Sequence, residues 1–190
     1  MGSVRRRGGL VRIEVDSTEA VMLASLVGQV RQLLTEGLPE GLADATGDPL
    51  QTLVGLRSSE TAVPDDPILA RLLPAAYRDD DAAAAEYRSL METDLRLQKS
   101  AALQRVLDDL AGAGTRRGGE LRIELSDEDA ATWLFALTDV RLALGTTLGV
   151  TEDLDAETEA RETDSPRAAG LAVYDWLTWL QDATVRAVST

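Results

Sequence analysis

A chain of 190 residues, 44% of them apolar, with 33 acidic against 19 basic side chains, carries a formal charge of −14; it is long enough to bury a core, and its charge repels nucleic acid and anionic lipid. Cysteine and histidine are both missing from the sequence, which excludes disulfide scaffolds, thiol nucleophiles, Ser-His-Asp and Cys-His catalysis, and histidine- or thiolate-ligated metal. No apolar run approaches the roughly 20 residues that span a bilayer, and no apolar signal region follows the basic start Met1 to Arg7, so the sequence reads as cytoplasmic.

In chain order, Arg5-Arg6-Arg7 reads as a solvated lead-in to a strand in which Val11, Ile13 and Val15 alternate with Arg12 and Glu14. Asp16 and Glu19 have the spacing of a capping box, and a helix is predicted over 18–35 with Leu23, Leu26, Val27, Val30 and Leu34 on its apolar face and Gly37 as its stop. Pro49 to Leu56 and Pro67 to Leu73 read as short helices with proline near the start. Asp79-Asp80-Asp81 then opens a long helix to about Leu110, with Tyr87, Leu90, Met91, Leu95, Leu103, Val106, Leu107 and Leu110 at 3.6-residue spacing. Ala111-Gly112-Ala113-Gly114 ends it. A second strand follows, Leu121, Ile123 and Leu125 alternating with Arg122 and Glu124; Ser126 and Asp129 cap a helix over 127–145, with Trp133, Leu134, Leu137, Val140 and Leu144 apolar and Gly145 or Gly149 as stop. Glu152 to Asp164 is acidic and reads as an exposed, mobile loop, and a last helix over 166–188 begins at Ser165-Pro166.

The two strand–helix units align without a gap at an offset of 110 positions: Arg6-Arg7-Gly8-Gly9 matches Arg116-Arg117-Gly118-Gly119, Arg12-Ile13-Glu14 matches Arg122-Ile123-Glu124, and Val30-Arg31 matches Val140-Arg141. The expected fold is therefore mainly α, with a small two-stranded antiparallel sheet formed by a duplicated strand–helix unit and its Arg/Glu face in solvent. The whole chain, 1–190, is expected to be a single domain, with an internal repeat over 6–35 and 116–145, a helical insert over 48–111 and the C-terminal helix over 166–188.

Few residues carry chemistry. Gly8-Gly9 and Gly118-Gly119 precede strands, so they form no phosphate cradle, and no Walker loop, GxGxxG or GxSxG occurs. Asp65-Asp66, Asp79-Asp80-Asp81 and the run Glu152 to Glu157 lack the calcium-loop pattern and read as solvent faces or caps. Ser100 beside Lys99 lacks the helical-turn spacing of a Ser–Lys dyad. Arg5-Arg6-Arg7 and Arg116-Arg117 would form a basic patch if their strands lie side by side, but without the stripe and aromatic elements of a nucleic-acid site. Two of the three tryptophans fall within Tyr174-Asp175-Trp176-Leu177-Thr178-Trp179-Leu180-Gln181. Their broad apolar arc marks a helix central to the core or shared with a partner, and Tyr174, Trp176, Leu177, Trp179 and Leu180 are the candidate partner or dimer surface. No catalytic, cofactor-binding or metal-ligating residue is predicted.

Three stretches together, Pro67 to Arg78, Arg141 to Val150 and Tyr174 to Gln181, resemble an actinobacterial domain-of-unknown-function family that includes the AosR-type oxidative-stress transcriptional regulators. The resemblance covers nearly the whole chain. It implies a non-enzymatic cytoplasmic regulator that binds other proteins and acts with a sigma factor as partner. The redox response of that branch is ascribed to cysteines, which this chain lacks, so disulfide sensing is not carried over. The expected protein is a homo-oligomer without cofactor, membrane or direct nucleic-acid binding; the alternative is a small-ligand-binding or enzymatic domain using Arg and Asp/Glu groups.

Overall fold

The computed structural model describes residues 2–36, 38, 66–74, 81–115, 119–151 and 165–190, with the side chains of 81–90 and Thr115 outside that description. The expectations for Gly37, Pro49 to Leu56, Asp65, Asp79-Asp80, Tyr87, Leu90, Arg116-Arg117 and Glu152 to Asp164 thus lie outside the described residues. The elements are β1 (Ser3–Arg7), β2 (Leu10–Val15), α1 (Ser17–Thr35), α2 (Pro67–Leu72), α3 (Asp81–Ala111), β3 (Gly114–Thr115), β4 (Leu121–Leu125), α4 (Asp127–Leu148) and α5 (Pro166–Val188). The protein is mostly helical with one small antiparallel sheet.

That sheet has four strands in the order β1-β2-β4-β3, not two. The segment expected to be a lead-in is a strand: β1 pairs antiparallel with β2 from Ser3 opposite Glu14 to Arg7 opposite Leu10. Only Gly8 and Gly9 remain for the turn, at φ 62° and 83°, the positive-φ pair required by a two-residue I′ hairpin, whose twist matches its strands. On the other side, β2 pairs antiparallel with β4, Ile13 opposite Ile123, Arg12 opposite Glu124 and Glu14 opposite Arg122. The two-residue β3 adds Gly114 and Thr115 beside Arg122 and Leu121.

Alternation divides the sheet into two faces. Val11, Ile13, Val15, Ile123 and Leu125 are buried beneath the helices. The opposite face carries Arg5, Arg12, Glu14, Arg122 and Glu124, whereas Arg6, opposite Val11, lies on the helix side; alternation alone would leave all five solvated. Glu14 departs from this, being only 8% exposed, because β1 brings Ser3 and Arg5 over it and β4 brings Arg122.

The capping box of α1 is present: Asp16 accepts from the backbone of Thr18 and Glu19, and Glu19 accepts from Asp16 N. In α4, Ser126 accepts from Asp129 N, and the helix runs past Gly145 to Gly149, whose φ of 66° is the left-handed C-cap geometry glycine adopts without strain. Most of the apolar positions read for α1, α3 and α4 are buried, Leu23, Val27, Val30, Leu34, Leu103, Val106, Leu110, Trp133, Leu137 and Val140 among them, whereas Met91 is exposed. Helices α1 and α3 pack together, α2 lies against α4, and α4 runs antiparallel beside α5. Their close approach depends on two glycines: a Cβ on Gly170 would stand 2.6 Å from Leu148 Cδ2, and one on Gly145 3.2 Å from Tyr174 Cε2.

Candidate interaction surface

The three sequence blocks that carry the family resemblance converge on α4. Ile68 of α2 shares an apolar surface groove with Val140, Ala143 and Leu144. Tyr174 of α5 packs on Gly145, and the Arg141 guanidinium lies 5.2 Å from the centre of its ring, close enough for a cation–π contact. Arg141 Nη1 also donates to Gln181 Oε1 at 2.6 Å, and Gln181 Nε2 donates to Thr138 Oγ1 at 2.8 Å.

Of the five residues proposed for a partner surface, two point inward. Leu177 and Leu180 are fully buried in the core of the single chain; with the broad apolar arc of this helix, burial takes one side of it and leaves Tyr174, Trp176 and Trp179 half-buried at the surface. Trp176 Nε1 donates to Glu19 Oε1 at 3.0 Å. That same oxygen accepts from Gly2 N at 3.2 Å, while Oε2 accepts from Asp16 N at 2.9 Å. One carboxylate therefore joins the start of β1, the cap of α1 and the middle of α5. Capping spacing identifies Glu19, but nothing local in the sequence indicates its bond to Trp176, 157 positions away.

Trp133 is wholly buried and donates to Asp109 Oδ2 at 2.8 Å. The third indole N–H, that of Trp179, has no hydrogen-bond acceptor among the described residues. Two more large apolar side chains lie open on the same pair of helices, Phe135 at 71% and Val185 at 47% exposure.

The carboxylates of the sheet are committed to arginines. Glu14 bonds to Arg5 at 2.5 Å and to Arg122 at 3.3 Å, and Glu124 accepts from Arg12 Nε at 2.9 Å. Arg6 donates to Asp127 at 2.8 and 3.0 Å and reaches the α5 carbonyls of Ala187 and Val188 at 3.4 Å each. Its hydrogen bond and charge hold the Asp127 carboxyl below the ordinary carboxylate range. Lys99 meets the buried Asp139 at 2.6 Å, and burial pushes the Asp139 carboxyl up despite that partner. None of these pairs is arranged as an acid and a base facing a common cavity. Among the described residues no group of three carboxylates could hold a metal ion, and no helix is long and apolar enough to cross a membrane.

Between β1 and the final turns of α5 runs an open groove of about 480 Å³. Arg5, Arg6, Arg186 and Trp179 line it, and no Asp or Glu side chain does. The sequence marks Arg5 and Arg6 within a basic run but not Arg186, which folding brings alongside them.

A family model described as "Domain of unknown function (DUF2017)" matches residues 1–188. The "Oxidative stress regulator AosR" of Mycobacterium tuberculosis (strain ATCC 25618 / H37Rv) is 33% identical over 193 residues, covering 95% of this chain and 83% of that protein. The protein of the same name from Mycobacterium bovis has the same identity and coverage. No solved structure is significantly similar to the chain.

Proposed function

The chain belongs to the domain-of-unknown-function family DUF2017, and from that membership we propose that it is a non-enzymatic cytoplasmic regulatory protein that works by binding other proteins. The observation that carries this reading is the chain-long similarity to relatives named as oxidative stress regulators rather than as enzymes. The engagement of the sheet carboxylates with arginines supports it from the side of chemistry. A sigma factor is the proposed partner, and with no cysteine in the chain, the regulator responds without a disulfide of its own.

The self-contact face we propose comprises Tyr174 with the open Phe135 and Val185, and a homo-oligomer formed through it accounts for large apolar side chains left in water. Trp176 and Trp179, on the β1 side of the helix, are left to a partner protein. We also read the chain as one domain built on a duplicated strand–helix unit. What supports this is the pairing of β2 with β4 about Ile13 and Ile123, which sets each unit's arginine against the other unit's glutamate. The ligand-binding or enzymatic alternative rests on the arginine-lined groove. Affinity capture with the full chain from an extract of its host, with and without peroxide treatment, tests the proposal: specific recovery of a sigma factor is expected. Turnover of a small molecule by the purified chain, with no protein retained, would overturn it.

A further inference from the structure

The groove beside β1 inverts the character of the molecule. Acidic residues outnumber basic ones 33 to 19, yet three arginines and no acidic side chain line this cavity. The charge there is only partly answered from within. Arg5 lines the groove from the edge of β1, its guanidinium turned to the outer sheet face, where it shares Glu14 with Arg122. Arg186 makes no ion pair among the described residues, not even with Asp182 one turn earlier on the same helix face. Arg6 is neutralised by Asp127 and also covers the negative end of the α5 dipole, which would otherwise oppose an anion, by reaching the carbonyls of Ala187 and Val188.

Trp179 adds an independent pointer to the ligand. The other two indoles each donate to a carboxylate of this chain, Trp133 to Asp109 and Trp176 to Glu19. Trp179 lines the groove with a donor for which the described residues supply no acceptor. Its ring also offers an apolar wall, and the cavity volume falls within the roughly 300–1,000 Å³ of ordinary binding sites.

We propose that this groove binds an acidic segment of a partner protein, with a carboxylate on Arg186 and the Trp179 N–H and an apolar side chain against the Trp179 ring. Peptide carboxylates suit the site better than a nucleic-acid backbone, because a polyanion would meet the long-range repulsion of a chain charged −14, whereas a short acidic segment needs only the local field. The proposal rests on reading the chain as a protein-binding regulator and adds where the partner docks and by what chemistry.

The test is selection of displayed random short peptides on the full-length protein, followed by fluorescence anisotropy with the selected peptides. Peptides rich in Asp and Glu with an interspersed apolar residue are expected. Arg186→Glu, a change at an exposed side chain, should weaken them roughly ten-fold or more, as replacing a charge attraction by a repulsion does, with an unchanged circular-dichroism spectrum. Arg5→Gln should leave them nearly unchanged, since its guanidinium is held by Glu14 on the outer sheet face. Selected peptides without acidic bias, equal affinity for Arg186→Glu, or displacement by a single-stranded DNA oligonucleotide or inorganic phosphate at equal concentration would each overturn the proposal. The host-extract capture reads the regulatory assignment separately, because its outcome does not depend on Arg186.

Discussion

Asp139 sits on α4 facing α3, only 4% exposed, with the Lys99 ammonium 2.6 Å away. Burial penalises its charged form more than Lys99 favours it, so the folded carboxyl holds its proton to a higher pH than the unfolded one. Between the two values the folded chain binds a proton that the unfolded chain has released. Stability therefore falls as pH rises through that window, and the loss persists above it. Asp139→Asn removes the titration, while Lys99 retains enough exposure, 22%, to be hydrated. Urea denaturation across the acidic range should show the wild type losing stability relative to Asp139→Asn as pH rises; parallel curves would refute the assignment. A residue of this kind is hard to read from sequence. Asp139 lies among Ala136, Leu137 and Val140 on the buried side of its helix, and only packing shows that the single lysine of the chain reaches it.

Elements bounded by a local device are the legible ones. Asp16 with Glu19 and Ser126 with Asp129 fix the starts of α1 and α4, and Ser165-Pro166 that of α5, because a cap is chemistry between residues three apart. Strand β1 is hidden because Val4-Arg5-Arg6-Arg7 has no apolar alternation, although Gly8-Gly9 between two extended runs is a hairpin signal. The burial of Glu14 follows from that hidden strand. For α5, the residues indicate a helix rich in aromatics but not that Leu177 and Leu180 turn inward, since an apolar arc this broad does not say which part of it is covered. Glu19 shows how a cap becomes a tertiary joint. Glu19→Ala removes acceptors for Asp16 N, Gly2 N and Trp176 Nε1 together, and should cost about 1–3 kcal/mol, more than a cap alone. The indole emission of Trp176 should shift with it. A loss in the range of a few tenths, with unchanged fluorescence, would mean that the three bonds do not act jointly.

For the whole molecule, the proposed self-association can be separated from folding. Phe135 is 71% exposed and contributes little to the core, so Phe135→Ser should leave the melting temperature nearly unchanged while reducing the mass measured by light scattering from oligomer to monomer. A wild type that is already monomeric at high concentration would refute the oligomer. The sheet has a consequence of a different kind. Strands β1 and β2 are joined by two residues, but Ile13 meets Ile123 only after a long intervening stretch of chain has been gathered. Closing a loop of that length costs entropy before its contacts repay it, and non-local strand pairing slows folding. The β1–β2 hairpin and the antiparallel α4–α5 pair can each form early from neighbouring sequence. The β2–β4 seam is the least local of these pairings, which makes it the expected rate-limiting closure when the protein folds, and a newly made chain keeps an open strand edge on β2 until β4 has been synthesised.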